Sequence, residues 1–179
     1  MTGANAAAFP AVLGRLLTGA ALSRDEVRGA FDAILAGAWT TAQVAAFATA
    51  LRLRGETVDV LHAAAEAMRA AMTAVDHGLP VVLDTCGTGG DGAHTLNVST
   101  GAALLVAAAG VPVAKHGNRS VSSKCGSADV VEALGVPIDV PPERQKAVLA
   151  EAGLAFLFAP AHHPALRHAA QARRELGVR

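Results

Sequence analysis

One glycine-rich stretch, residues 83–92 with the sequence LDTCGTGGDG, constrains the fold of this chain most strongly. It follows an apolar run from Pro80 to Leu83, so we predict a buried strand over residues 80–84. Four of its last six residues are glycine, which allows positive φ angles and lets a ligand approach bare backbone N–H groups. An apolar helical run from Gly101 to Gly110 follows. A strand, a glycine loop and a helix N-terminus together favour anions, so we predict a ligand that carries phosphate or pyrophosphate.

The first 75 residues contain only helical patterns. Apolar residues such as Val27 and Ile34 recur at helical spacing, and Ser23 with Glu26 is typical of a capping box. This region has no cluster of reactive side chains, so we expect a structural or interaction role, with Trp39 packed in a turn. We predict four short helices, over about residues 8–18, 24–36, 41–54 and 58–75.

From Pro80 onward, short apolar runs of β type alternate with helical stretches, which favours βαβ units and a parallel sheet. A parallel sheet commonly has about five strands, so the sheet is expected to be incomplete in this chain. The predicted fold class is α/β with a separate small all-helical N-terminal domain. We predict strands over about residues 80–84, 111–115 and 154–158, a weaker run over 136–140, and helices over 98–110, 127–135, 142–152 and 164–175.

The amino-acid composition and net charge of the chain count against several functional classes. The chain is 52% apolar and 17% charged, which suits a folded core. Its formal net charge of zero counts against general binding to nucleic acid or membrane surfaces. Cys86 and Cys125 lie far apart in the sequence, so we expect no disulfide or zinc site, and a reducing cytoplasm as the compartment. Neither cysteine has an evident base partner, so we expect both to be small packing residues. No apolar run approaches the roughly 20 residues of a membrane span, and no signal peptide is evident.

The glycine loop fits several types of site. Residues 87–92 match the dinucleotide fingerprint G-x-G-x-x-G, but the region about 20 residues further on is basic where that fingerprint needs an acid. A Walker loop is excluded because no Gly-Lys-Ser/Thr follows at the required spacing. Asp91 would repel phosphate unless a divalent cation or a sugar hydroxyl lay between them. The alternative is a tight turn in which Asp91 caps the next helix.

Two further polar segments are predicted to join this loop. Residues 97–100 (NVST) offer a helix-cap asparagine and two hydroxyls, which suit phosphate oxygens or one position of Mg²⁺, although such a segment is often a plain helix cap. Residues 115–127 follow a strand and precede a helix, so they should lie at the same sheet edge as the glycine loop. Lys115 and Arg119 can neutralise phosphate there, and a solvated basic loop is the alternative.

The residues His162, His163 and Arg173 form a less specific group. Adjacent histidines rarely share one metal ion, so we expect an acceptor pocket or packing at a helix start. Arg173 can pair with a substrate carboxylate in a bidentate way, or lie on a solvated helix face.

Taken together, these segments resemble the anthranilate phosphoribosyltransferase family. The resemblance rests on DTCGTGGDG at residues 84–92, NVST at 97–100, KHGNR at 115–119 and GSAD at 126–129, with support from the helical N-terminus and residues 158–164. It implies transfer of the phosphoribosyl group of 5-phosphoribosyl-1-pyrophosphate (PRPP) to anthranilate. The products would be N-(5-phosphoribosyl)anthranilate and pyrophosphate, in tryptophan biosynthesis. It also implies Mg²⁺ as a cofactor and a cytoplasmic homodimer formed through the N-terminal helices.

The resemblance divides the chain into a helical dimerisation domain over residues 1–75, a partial α/β phosphoribosyl-binding domain over 76–160, and a helix over 161–179 that returns to the helical domain. It assigns no catalytic residue, and it makes Ser99 a ligand of Mg²⁺. It implies that anthranilate is held by Gly87, Asn118 and Arg173. It implies that PRPP is held by Gly87, Gly90, Asp91, Thr95, Asn97, Val98, Ser99, Thr100, Lys115, His116, Gly117, Asn118, Arg119, Ser120, Val121, Ser122, Ser123 and Ser127.

Chains of this family continue for roughly as much length again, and the next segment carries an Asp-Glu pair that binds magnesium. Neither that pair nor the remaining strands are part of this sequence. Two alternatives stay open. One is a pyrimidine nucleoside phosphorylase of related fold, in which phosphate is the nucleophile. The other is a non-catalytic relative that binds nucleic acid through its basic loop.

Overall fold

A computed structural model describes residues 8–87, 96–120 and 125–177 of the chain. These residues fall into two compact units. A helical unit contains the residues up to Met72 and those from His163 onward, and an α/β unit runs from Thr73 to His162. Along the chain, the α/β unit is therefore inserted between two parts of the helical unit.

The elements follow the predicted order of helices first and alternating strands and helices afterwards. In chain order they are α1 (Phe9–Thr18), α2 (Arg24–Leu35), α3 (Thr41–Arg54), α4 (Val58–Ala70), α5 (Val98–Ala108), β1 (Val113–Gly117), α6 (Ser127–Ala133), α7 (Pro142–Ala152), β2 (Leu154–Phe158), α8 (Ala159–His162), a 3₁₀ helix (Pro164–Leu166) and α9 (Arg167–Leu176). None of the described helices combines the length and apolar character needed to cross a lipid bilayer.

Hydroxyl side chains fix where helices of the helical unit begin. Ser23 and Glu26 form the predicted capping box: the Glu26 N–H donates to Ser23 Oγ at 3.2 Å, and the Ser23 N–H donates to Glu26 Oε2 at 2.7 Å. The hydrogen bond from the Ser23 backbone holds the pKa of Glu26 below its ordinary value. Thr40 and Gln43 repeat the same arrangement before α3.

Apolar side chains from α1, α2, α3, α4 and α9 form one core in the helical unit. Trp39 is buried in the turn before α3 and contacts Phe9 and Phe47 edge to face, with ring centroids 5.2 Å and 5.4 Å apart. The expectation that this tryptophan packs is therefore confirmed. Such aromatic pairs add to the stabilisation that burial of their area provides.

Helix α4 ends at Ala70, five residues before the predicted end at residue 75. The local sequence has no glycine or proline there, so nothing nearby signals the end. The reason is distant in sequence: the Thr73 N–H donates to the His162 carbonyl at 2.8 Å. Thr73 therefore bonds to a residue that lies 89 positions further along the chain and does not continue α4.

The α/β unit is organised on two parallel strands. β1 pairs with β2 in register from Val113 with Leu154 to Gly117 with Phe158. The bounds of β2 are those predicted, while β1 begins two residues later than predicted because Pro112 precedes it and cannot donate to a ladder. The observed α/β class with a parallel sheet and a separate helical region confirms the predicted fold class.

The predicted strand over residues 80–84 is wrong. Leu83 makes a single parallel bridge to Val113, and Val81 is 74% exposed. The bridge cannot extend towards the N-terminus because the next donor in the ladder would be Pro112, which has no N–H. It does not extend towards the C-terminus because the His116 N–H, the next donor on that side, points to the Asp84 carboxylate at 3.4 Å.

The weaker run over residues 136–140 also forms no strand. Its Ile138 is buried with Ala128, Val131 and Phe156, and so joins the small core of the α/β unit. The Val140 carbonyl accepts a hydrogen bond from Gln145 Nε2 at 3.1 Å instead of pairing with a strand. Packing of Ile138 and the hydrogen bond from the Gln145 amide therefore fix the position of this segment, without strand pairing.

Candidate active site

Lys115 lies at the centre of the predicted site. Although it is a lysine, only 3% of its surface is exposed. Its Nζ donates to the Thr85 carbonyl, Ser99 Oγ and the His116 carbonyl, each at 3.4 Å. Thr85 Oγ1 in turn donates to the Ser99 carbonyl at 2.7 Å. The structure thus brings the start of the glycine loop, the first turn of α5 and strand β1 together around one ammonium group.

The charge of Lys115 has no anionic partner among the described residues. All three acceptors of its ammonium group are neutral, and the ion pairs found in residues 8–87, 96–120 and 125–177 do not include it. A buried cation is stable when an anion or several strong hydrogen bonds compensate its loss of hydration. The surroundings of Lys115 are therefore complementary to an anionic ligand.

The start of α5 differs in one detail from the prediction. Asn97 occupies the cap position, but its side chain makes no capping hydrogen bond. Its Nδ2 instead donates to the Cys125 carbonyl at 3.4 Å, which ties the helix start to the end of the basic loop. Thr100 is buried in the first turn and its Oγ1 has no partner within the described chain, while Val98 is exposed.

The basic loop, which connects β1 to α6, has close backbone contacts at both of its ends. The Asn118 N–H donates to Ser127 Oγ at 3.2 Å, and that hydroxyl donates back to the Asn118 carbonyl at 3.3 Å. A Cβ on Gly117 would lie 2.6 Å from the Phe156 ring, and one on Gly126 would lie 2.6 Å from the Arg119 carbonyl carbon. Only glycine fits at these two positions, so the loop closes through backbone contacts.

Arg119 does not present a free cation. Its guanidinium pairs with Asp129 at 3.1 Å and with Glu132 at 2.9 Å and 3.0 Å. Asp129 also accepts hydrogen bonds from the N–H groups of Gly126 and Ser120, at 2.7 Å and 3.2 Å. The bond from Gly126, followed by that from Ser120, lowers the pKa of Asp129. The carboxylate thus holds both ends of the loop, which sequence reasoning did not anticipate.

A second group of side chains lies beside Lys115. His116 Nδ1 is 2.7 Å from Asp84 Oδ2, and its Nε2 is 3.3 Å from Cys86 Sγ. Cys86 is exposed, so the prediction that it is a packing residue without a base partner is wrong; Cys125 is exposed as well. The missed signal was the alternation of Asp84 and Cys86 after the apolar run, which places both on one side of an extended segment next to β1.

The other predicted residues are distributed over both units. Gly87 is exposed at the end of a described segment. Arg173 lies in the last turn of α9, exposed, in the helical unit. His162 is buried and its Nδ1 lies 3.1 Å from the Thr73 carbonyl, so it packs at the end of α8, whereas the prediction offered an acceptor pocket or packing at a helix start. Outside the described residues lie Gly90, Asp91, Thr95, Val121, Ser122 and Ser123. No group of three or more His, Cys, Asp or Glu side chains suited to a metal ion occurs in the described part.

Comparison with known proteins also divides the chain into a helical and an a/b part, although the a/b match includes residues 163–179, which belong to the helical unit here. Residues 10–72 match the helical bundle domain of the glycosyl transferase family, and residues 79–179 match its a/b domain. The anthranilate phosphoribosyltransferase of Desulfosudis oleivorans is 54% identical over 171 residues, which cover 96% of this chain and 50% of that protein. The chain spans about half the length of the curated relatives it matches.

Solved structures give the same result. Anthranilate phosphoribosyltransferase from Thermus thermophilus superposes with a TM-score of 0.84 at 46% identity, covering 94% of this chain and 51% of that one. The Saccharomyces cerevisiae protein in complex with PRPP and Mg superposes with a TM-score of 0.88 at 29% identity, covering 99% of this chain and 53% of that one. The predicted resemblance is confirmed, and the chain belongs to the glycosyl transferase family that joins a helical bundle domain to an a/b domain.

Proposed function

We propose that this chain carries the PRPP-binding part of an anthranilate phosphoribosyltransferase. The reaction would move the phosphoribosyl group of PRPP to the amine of anthranilate and release pyrophosphate, as a step of tryptophan biosynthesis. Support comes from relatives that bear this name and from a yeast relative seen with PRPP and Mg. The relatives described above favour neither a nucleoside phosphorylase nor a nucleic-acid-binding protein.

The observation that carries the proposal is the buried ammonium group of Lys115. Among the described residues, the acceptors of this group are neutral oxygens of Thr85, Ser99 and His116. PRPP is a polyanion, and a phosphate oxygen near Nζ would supply the missing charge. Arg119, in contrast, would contribute its guanidinium only if a ligand displaced Asp129 or Glu132.

The remaining roles follow from the resemblance. Ser99 Oγ offers one oxygen of the kind that Mg²⁺ prefers, and phosphate oxygens and water would supply the others. Bound Mg²⁺ would neutralise charge on the pyrophosphate as it leaves. We further propose that Gly87, Asn118 and Arg173 hold anthranilate, and that the PRPP residues outside the described ranges contribute as the resemblance implies.

The chemistry needs little from the protein besides positioning and charge. The aromatic amine of anthranilate is already neutral near pH 7, so no strong general base is required. The ribose carbon gains positive character as pyrophosphate departs, and the departing group gains negative charge. Lys115 and the backbone N–H groups of the loops would stabilise that charge, and fixed positions of the two substrates would raise the rate.

The first test is calorimetric titration of the whole chain with PRPP, with and without Mg²⁺. We expect saturable binding that Mg²⁺ strengthens, and at least about tenfold weaker binding in Lys115→Met, since hydrogen bonds to charged groups contribute about 1.5–3 kcal/mol. The matched control is Lys146→Met, which removes an exposed lysine on α7 of the same unit. Absence of binding to the unmodified chain, or equal loss in both variants, would contradict the proposal.

The second test concerns the acceptor. With PRPP and Mg²⁺ present, we expect anthranilate fluorescence to fall as product forms. Arg173→Leu should raise the anthranilate concentration needed, whereas the neighbouring Arg174→Leu, also exposed in the last turn of α9, should not. Unchanged fluorescence with the unmodified chain would show that this chain does not perform the transfer.

We also propose a homodimer formed through the N-terminal helices, in the cytoplasm. The exposed apolar residues Leu17, Leu53, Val58 and Leu61 on the helical unit support such an interface. Cys86 and Cys125 form no disulfide, which suits a reducing compartment. Sedimentation equilibrium should give twice the mass of the 18.0 kDa chain, and Leu53→Glu should shift it towards the monomer.

A further inference from the structure

Three side chains beside the proposed PRPP site form a chain of hydrogen bonds. Asp84 Oδ2 lies 2.7 Å from His116 Nδ1, and His116 Nε2 lies 3.3 Å from Cys86 Sγ. The residues are distant in sequence, with His116 30 positions after Cys86. The proposed transfer assigns no role to Asp84 or to Cys86. Their alignment, carboxylate to imidazole to thiol, is the arrangement in which a base activates a sulfur nucleophile.

Asp84 determines which nitrogen of His116 carries the proton. An ionised carboxylate can only accept, so the short contact assigns the proton to Nδ1. Asp84 also accepts from the His116 backbone N–H through Oδ1 at 3.4 Å, so both ring and backbone are oriented by one residue. Nε2 is left with its lone pair towards Cys86, ready to accept the thiol proton.

The thiol of Cys86 needs such a base. Cys86 is a free, exposed cysteine and also contacts the Gly87 carbonyl at 3.4 Å. Burial of part of the side chain and the charge of Asp84 raise the pKa of the thiol, while Lys115 lowers it to a smaller extent. Near neutral pH the sulfur is therefore protonated, and the unassisted thiolate is scarce.

We propose that Cys86 is a site of thiol–disulfide exchange with low-molecular-weight disulfides, with His116 as the base. The Cys86 sulfur attacks one sulfur of the disulfide while its proton passes to His116 Nε2. A new S–S bond forms, the original S–S bond breaks, and the leaving thiolate takes the proton from Nε2 to become a free thiol. Asp84 is a positioning residue that acts through His116. No step involves PRPP or anthranilate.

The test measures mixed-disulfide formation on the whole chain with oxidised glutathione as the probe. Cys125 is replaced by serine so that Cys86 is the single remaining thiol among the two cysteines of the sequence. Intact mass gives the rate of glutathionyl addition, and a synthetic peptide of residues 80–87 with the same thiol gives the unassisted rate. We expect the native chain to react about ten- to a hundredfold faster than the peptide at pH 7, which lies at or below the usual size of base assistance.

Variants locate the source of the acceleration. His116→Ala should bring the rate down to that of the peptide, and added imidazole should restore part of it. Asp84→Asn should slow the reaction several-fold, whereas Asp84→Glu, which keeps the carboxylate, should retain most of the rate. A native rate equal to or below that of the peptide would overturn the proposal without any variant. An unchanged rate in His116→Ala would overturn the role of His116.

Discussion

The helical unit buries apolar side chains, whereas the α/β unit buries polar ones next to its strands. Of the described residues, Thr100, Lys115, Gln145 and His162 are polar and buried, and all four belong to the α/β unit. In the helical unit the charges stay at the surface in pairs such as Arg24 with Glu66 at 2.7 Å. Exposed pairs of this kind contribute little to stability.

This difference indicates that the two units are stabilised in different ways. Apolar burial with capped helices gives the helical unit stability that depends on its own packing. Buried polar groups cost free energy unless every one is compensated, so the stability of the α/β unit depends on hydrogen bonds to these groups. Substitutions should therefore affect the two units by different mechanisms, and the following four predictions test this from the largest effect to the smallest.

Loss of an aromatic side chain from the helical core should have the largest effect. Phe47 is 2% exposed and contacts Phe31 and Trp39 edge to face. Phe47→Ala should lower the free energy of unfolding by about 3–5 kcal/mol, through lost burial and the cavity left behind. Urea unfolding followed by helical circular dichroism measures it. Thr49→Ala on the same helix, at an exposed position outside the proposed dimer interface, should change stability by less than about 0.5 kcal/mol.

Removal of a buried amide should have the next largest effect, in the α/β unit. Gln145 is 1% exposed, and its Nε2 donates to the carbonyls of Val140 and Phe156, both at 3.1 Å. Gln145→Leu keeps the approximate volume but leaves two carbonyls unpaired, which should cost about 1–3 kcal/mol. Faster hydrogen exchange of the β2 amides would report it. Gln171→Leu, at an exposed glutamine, serves as the control, and equal effects in both would contradict this account.

Loss of a helix cap should cost less, about 1 kcal/mol. Ser23→Ala removes the acceptor for the Glu26 N–H, and Ser23→Thr keeps it. The pKa of Glu26 is lower in the folded chain than in the unfolded one. The ionised carboxylate therefore adds to the free energy of unfolding above the unfolded pKa, and this stabilisation is lost as pH falls through the folded pKa. Unfolding followed by Trp39 fluorescence should show the alanine variant less stable near pH 7. Glu26→Gln, which cannot ionise, should lose less stability in acid than the native chain, and an equal loss in both would contradict the role of Glu26.

The smallest effect concerns the carboxylate that closes the basic loop. Hydrogen bonds from Gly126 and Ser120, with a further contribution from Arg119, lower the pKa of Asp129. Its stabilisation should therefore persist above the ordinary aspartate pKa of about 3.9 and vanish as pH falls through the lower folded value. NMR shifts of the Gly126 and Ser120 amides should titrate below that value. Arg119→Gln should raise the midpoint only slightly, and a large rise would show that the ion pair dominates.

The sequence predicted those features that depend on neighbouring residues. The capping box at Ser23 and the bounds of β2 and α7 follow from local signals, namely a hydroxyl with an acid three positions later and a Gly or Pro at each boundary. The grouping of residues 97–100 with Lys115 was expected from parallel strands over 80–84 and 111–115, of which the structure keeps β1 and a single bridge between Leu83 and Val113.

Features that depend on distant partners escaped prediction. The strand expected over residues 80–84 fails because its ladder would need an N–H from Pro112 and another from His116, which the Asp84 side chain takes. Helix α4 ends early because Thr73 bonds to His162. The pairing of Arg119 with Asp129 and Glu132, and of Cys86 with His116, likewise joins residues whose proximity only the folded chain creates.

The contact between Thr73 and His162 has a consequence for dissecting the molecule. These residues are the first and last of the α/β unit, and two interactions, at 2.8 Å and 3.1 Å, hold them side by side. The first and last residues of the α/β unit are therefore adjacent in space. Because Met72 and His163 are each one peptide step of about 3.8 Å from one of these residues, a short linker should rejoin them. Replacing residues 73–162 by such a linker would test whether the helical unit folds alone.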